Sequence, residues 1–328
     1  MLAKMFLVPW VMVPWVMVPW VMVAWVWVPW VALSFAGSGL APQPDGSPEP
    51  AEETRQRVEE QRPSAQDSRR LQAERDLTTP RPIAALDSMW IEELTWMEVR
   101  DALDAGKRTA IVASGGIEQN GPYLATGKHN VVLRGACEGI ARALGDALCA
   151  PILKLVPEGA IEPPSGHMLF PGTLSLREET FEAVLEDVAS SLHAHGFEHV
   201  IFIGDSGGNQ AGMEAVADRL AQRWGPRSVL YVPEFYRYRE LIAHMENDLG
   251  VKQTADDGLH DDAAITAMMI AIDPQTVRFD QRVAAGLTTI NGVSITPEEE
   301  LAELGRKLLA WRVETTVEAI RETLVPAR

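Results

Sequence analysis

Ile111–Asn130, IVASGGIEQNGPYLATGKHN, is the stretch from which the rest of the chain can be read. The apolar run Thr109 to Ser114 fits a buried strand. It breaks at Gly115-Gly116 and passes into a Gly/Pro-punctuated loop carrying Glu118, Gln119 and Asn120, and the loop ends at His129, where a helical pattern begins. Polar and metal-competent side chains thus gather at the C-terminal end of a strand. In open α/β sheets that edge is where ligands bind.

Outward from this stretch the chain alternates helical and strand patterns. Helices are expected at Ile91–Ala105, Asn130–Leu144, Glu178–His195, Asn209–Trp224, Ala263–Ile272 and Pro297–Thr323. Strands are expected at Pro151–Val156, His199–Ile203 and Val229–Pro233 besides the first. Such spacing implies βαβ crossovers, hence an α/β fold of three α/β/α layers around a mostly parallel sheet.

Before residue 83 the composition changes twice. Residues 1–36 carry Lys4, a repeated Val-Pro-Trp-Val-Met unit and a small-residue exit, and six of the ten Trp lie there. This predicts a signal peptide or membrane anchor, with a tether through residues 5–35 and an exported, periplasmic or membrane-anchored protein. Pro9, Pro14, Pro19 and Pro29 would each interrupt a spanning helix. Residues 37–82, rich in Pro, Ser, Gln and charge, predict a disordered linker with a short helix near 51–61, leaving 83–328 as the catalytic domain. A net charge of −17 excludes a phosphate-binding footprint and so argues against nucleic acid. Cys137 and Cys149 read as two buried free thiols.

A second strand-to-helix turn follows His199–Ile203 and reads Gly204-Asp205-Ser206-Gly207-Gly208-Asn209. Its letters match the segment around the trypsin-like nucleophile, but the all-β context is missing. They also fit a nucleophile elbow with Ser206 as nucleophile, Asp256 or Asp257 and His260 completing a triad, although the Glu118 loop would then have no role.

Four segments in order give another reading. Glu118-Gln119-Asn120-Gly121-Pro122-Tyr123-Leu124-Ala125 with Gly127-Lys128-His129, then His167 before Phe170-Pro171-Gly172-Thr173, then Gly207-Gly208-Asn209, then Gly258-Leu259-His260, resemble the creatininase (creatinine amidohydrolase) family. The resemblance implies a creatininase-like fold, a homo-oligomer and a pair of divalent metals held by Glu, His, Asp, His and Glu. This sequence keeps Glu118, but has Asn120 for His, His129 for Asp, Ser206 for His, and Ala263 or Ile265 for the last Glu.

The resemblance makes Glu118, His129, Asp205 and Asp262 the candidate metal ligands, and a mixed carboxylate/imidazole set suits Zn, Mn or Fe. Glu118 and His260 are the candidate catalytic residues, His260 as proton shuttle, with Ser206 held for the serine alternative. Asn120, Tyr123, His167 and Asn209 are candidate substrate contacts. The carboxylates near His260 could equally cap the helix Ala263–Ile272, and His129 with Asn130 could cap its own helix. The expected function is hydrolysis of a C–N bond in a small cyclic or linear amide by a metal-activated water. The alternatives are a serine hydrolase using Ser206 and a non-catalytic binding protein on the same fold.

Overall fold

The computed structural model describes residues 64–324. The apolar leader, the linker up to 63 and the short helix expected at 51–61 lie outside the described residues. In chain order the helices are α1 (Ala65–Thr78), α2 (Trp96–Asp104), α3 (Lys128–Leu144), α4 (Glu178–Ala194), α5 (Gln210–Trp224), α6 (Tyr238–Asn247), α7 (Ala263–Ile272), α8 (Phe279–Ala284) and α9 (Glu298–Leu324). The strands are β1 (Thr109–Ser114), β2 (Ala147–Cys149), β3 (His199–Gly204), β4 (Val229–Tyr231), β5 (Thr289–Ile290) and β6 (Val293–Ser294).

Four strands form one parallel sheet in the order β2-β1-β3-β4, and β5-β6 is a separate hairpin. Strand alternation divides the core. Ile111, Ala113, Ile201 and Ile203 pack towards α3 and α9, while Val112, Val200 and Phe202 pack towards α4 and α5. A third cluster joins α7 to α3, α6 and α9. There the helices approach so closely that a Cβ on Gly305 would lie 2.0 Å from Ala267 O. The α/β/α expectation is met, and β1 and β3 pair in register from Thr109↔His199 to Ser114↔Gly204. The loops carrying Glu118 and Ser206 therefore leave the same sheet edge side by side.

Several local expectations are corrected. The strand placed at 151–156 is β2, ending at Cys149; beyond it only isolated bridges at Leu153 and Val156 remain, and Pro151 offers no backbone N–H to a ladder. The free thiols are a disulfide, because α3 ends at Gly145 in the left-handed conformation and the chain returns alongside it, bringing Cys149 to Cys137 at a Cα–Cα distance of 6.3 Å. Part of the expected linker is the exposed helix α1. Its support is charge, with Arg70 paired to Glu74 and Arg100 of α2 donating to Leu77 O and Thr79 O, so it carries no apolar stripe to read. Residue His129 does not cap α3 but lies inside it, and Asn130 reaches back to Gly116 O at 2.8 Å. Helices α6 and α8 and the hairpin fill stretches to which the pattern assigned no element. Among the described residues no helix is long and apolar enough to cross a membrane.

Candidate active site

Glu118 leaves β1 into the loop closed by Asn130 and is 2% exposed. Its Oε1 lies 2.8 Å from His129 Nε2, 3.1 Å from Lys128 Nζ and 3.6 Å from His260 Nδ1, and its Oε2 lies 3.1 Å from His167 Nε2. On the other side of the His129 ring, Nδ1 faces Asp205 Oδ2 at 2.9 Å, and Asp205 Oδ1 takes Arg312 Nη2 at 2.6 Å. Both imidazole nitrogens thus face carboxylates, so both donate and the ring is cationic. The result is a buried row of alternating charge, Lys128, Glu118, His129, Asp205, Arg312, drawn from β1's loop, α3, β3's turn and α9.

The electrostatics follow the row. Burial would lower the His129 pKa, but the hydrogen bonds and charges of Asp205 and Glu118 raise it to about 8. Burial would raise Glu118, yet His129, Lys128 and His260 hold it far below the usual carboxylate range. Asp205 is also lowered, Arg312 and His129 outweighing burial. Glu158 behaves in the opposite way: burial and the Glu118 charge push it up to about 8, so it is protonated at neutral pH. It occupies space that Gly116 leaves open, since a Cβ there would lie 1.9 Å from Glu158 Oε1. Burial and Lys128 lower His260, which favours its neutral form.

Glu118, His167 and His260 each offer one ligand atom within 4.8 Å of the others. Two imidazoles and a carboxylate are a donor set for Zn, Mn or Fe(II), so these residues fit one divalent ion. The His167 and His260 rings lie 4.5 Å apart, centroid to centroid. His260 Nδ1 lies 2.9 Å from Gln119 O; as the donor there it leaves the lone pair on Nε2, the tautomer support usual for a ligating histidine. The other donors expected from sequence do not join this trio. Both His129 nitrogens and both Asp205 oxygens are engaged in the charged row. Asp262 instead caps α7, its Oδ1 accepting from Ile265 N at 2.8 Å.

The other expected residues divide plainly. His167 reaches the cluster. Asn120 donates to Glu118 O and Ala125 O and ties the loop together, and Asn209 donates to Ser114 O and Gly115 O, pinning the ends of β1 and β3. Tyr123 lies under the Arg282 guanidinium at 5.2 Å. Ser206 Oγ donates to Glu158 Oε2 at 3.2 Å and accepts from Gly208 N; neither partner is a histidine, so the geometry gives no support to a Ser206 nucleophile.

Sequence reasoning missed Lys128, Glu158 and Arg312. Arg312 left a signal: on α9 it follows Leu301, Leu304 and Leu308 on the buried face, and a charge inside an apolar stripe asks for a buried counter-charge. Lys128 and Glu158 left none.

Residues 92–320 match the family model described as creatininase: creatinine amidohydrolase. A creatinine amidohydrolase of Pseudomonas putida is 27% identical over 116 residues, which are 35% of this chain and 44% of that protein, so the match spans less than half the length of this curated relative. Among solved structures, one of creatinine amidohydrolase (creatininase) superposes with a TM-score of 0.58 at 19% identity, over 74% of this chain and 100% of that one. A creatininase described as the Mn structure gives 0.55 at 22% identity, over 73% and 100%. A mutant creatininase complexed with creatine gives 0.55 at 21%, again over 73% and 100%. At these identities the superpositions show a shared fold.

Proposed function

The chain belongs to the creatininase family, and on that premise we propose that it hydrolyses a C–N bond in a small cyclic or linear amide, using one divalent ion held by Glu118, His167 and His260. The observation that carries this reading is the convergence of those three side chains at the carboxyl edge of β1 and β3. That relatives include a Mn form and a complex with creatine supports the choice of cofactor and of a small ligand. When bound, the ion supplies Lewis acidity and a water of lowered pKa.

The chain's own residues do the rest. His129, held from behind by Asp205 and Arg312, fixes Glu118 Oε1 and leaves Oε2 turned to His167. In this reading His260 serves as a donor to the ion rather than as a proton shuttle. Glu158, 5% exposed, holds a transferable proton at its carboxyl beside Glu118.

The test compares two variants by elemental analysis and by hydrolysis of a panel of small amides. Glu118→Gln keeps shape but loses charge; it should lose the metal and lower kcat/KM at least about a hundredfold, roughly 3 kcal/mol of transition-state stabilisation. Ser206→Ala should keep the metal and stay within about threefold. Activity lost with Ser206→Ala while Glu118→Gln remains active would overturn the reading.

Export belongs to the same proposal. The Cys137–Cys149 bridge supports it, because such bonds persist in oxidising compartments and are rare in reducing cytosol. Protein drawn from unreduced cells should resist alkylation at both cysteines; two labelled thiols would count against export.

A further inference from the structure

Lys128 opens α3 and lies against the three-donor cluster without belonging to it. Its Nζ is 3.1 Å from Glu118 Oε1 and 3.5 Å from His260 Nδ1, so the ammonium touches two of the three side chains that would hold an ion. The Lys128 and Glu118 side chains are 7% and 3% exposed, which leaves little water to screen the pair. Glu118 Oε1 is also met by His129 Nε2 at 2.8 Å. The one carboxylate of the cluster thus already faces two cationic partners from the protein itself.

Helix α3 gives no local reason for a cation at this point. A helix N-terminus carries partial positive charge, yet the first turn of α3 holds Lys128 and His129 and no acidic residue, and its N-cap Gly127 offers no side chain to accept from the free N–H groups. What holds the ammonium is Glu118, the same charge that an ion would need.

We infer that Lys128 is a tethered competitor of the divalent ion: its ammonium and the ion draw on the same Glu118 carboxylate, so Lys128 sets how tightly the cluster takes metal. The inference rests on the metal reading of Glu118, His167 and His260, and adds to it a residue that regulates loading. Two cations on one buried carboxylate repel each other, because charges a few ångströms apart are weakly screened where water is excluded. Neutralising position 128 removes that repulsion and leaves Glu118 ionised, since His129 still holds it.

The test measures Zn²⁺ affinity of the chelator-stripped full chain by competition with a chromophoric chelator. Lys128→Met and Lys128→Gln, two neutral variants of different polarity, should each bind Zn²⁺ at least about tenfold tighter than wild type. Lys128→Arg keeps the charge and should stay within about threefold of wild type. Adding Glu118→Gln to Lys128→Met should abolish the gain. Equal or weaker binding by the folded neutral variants, or Lys128→Arg binding as tightly as Lys128→Met, would overturn the competition and leave the metal reading standing. Zn²⁺ bound by neither wild type nor variants, or a gain that survives Glu118→Gln, would overturn both.

Discussion

The row from Glu118 to Arg312 and the three-donor cluster of Glu118, His167 and His260 share one carboxylate, and they differ in how far they are withdrawn from solvent. Along the row each charge meets an opposite charge at 2.6–2.9 Å: Glu118 with His129, His129 with Asp205, Asp205 with Arg312. In the cluster the His167 and His260 side chains are 31% and 41% exposed. Charges sealed against one another serve to hold geometry; side chains that open to solvent can meet a ligand. The difference separates the residues that position Glu118 from those that would meet a substrate, a division that proximity alone could not make.

The strongest way to break the comparison is to open the closed half. Arg312→Met leaves Asp205 buried with only His129 opposite it and should cost about 3–5 kcal/mol, read from urea unfolding. Lys128→Met leaves Glu118 still paired with His129 and should cost less than about 1 kcal/mol by the same measurement. If the two costs are equal, the buried row holds the site no more firmly than Lys128 does.

A smaller effect sharpens the comparison. In the metal-free protein the folded state raises His129 from its ordinary value near 6.5 to about 8. A raised histidine pKa stabilises the fold fully below the unfolded value, and that contribution is lost as pH climbs through about 8. The loss between pH 6 and 9 should be on the order of 2 kcal/mol. Urea midpoints across that range measure it, and His129→Gln should flatten the profile. A flat wild-type profile would show that the ring is not held as a cation.

Much of this was readable from the chain because its signals are local. The Gly115-Gly116 break after an apolar run announced the Glu118 loop, and the Gly204–Asn209 turn announced the second. Parallel topology then made their adjacency an expectation, and the register Ser114↔Gly204 meets it. What could not be read depended on partners far away or on the direction of one side chain. Asp205 sits one residue from Ser206, but whether it faced a metal or an arginine was decided by Arg312, 107 residues later. Asp262 carries the same carboxylate whether it ligates or caps, and only the start of α7 settled it. The cysteines looked unrelated because the reversal at Gly145, which brings α3 and β2 together, has no periodicity.

The position of Arg312 also couples the docking of α9 to the closing of the site. A domain folds as a unit, and here the counter-charge for Asp205 comes from α9, 107 residues further along the chain. Without that helix, pairing β1 with β3 would bury Asp205 beside His129 with no guanidinium to meet it. Closing the sheet edge over Asp205 without α9 would carry the cost of a buried carboxylate short of its guanidinium, so the docking of α9 and the closing of the site favour one another.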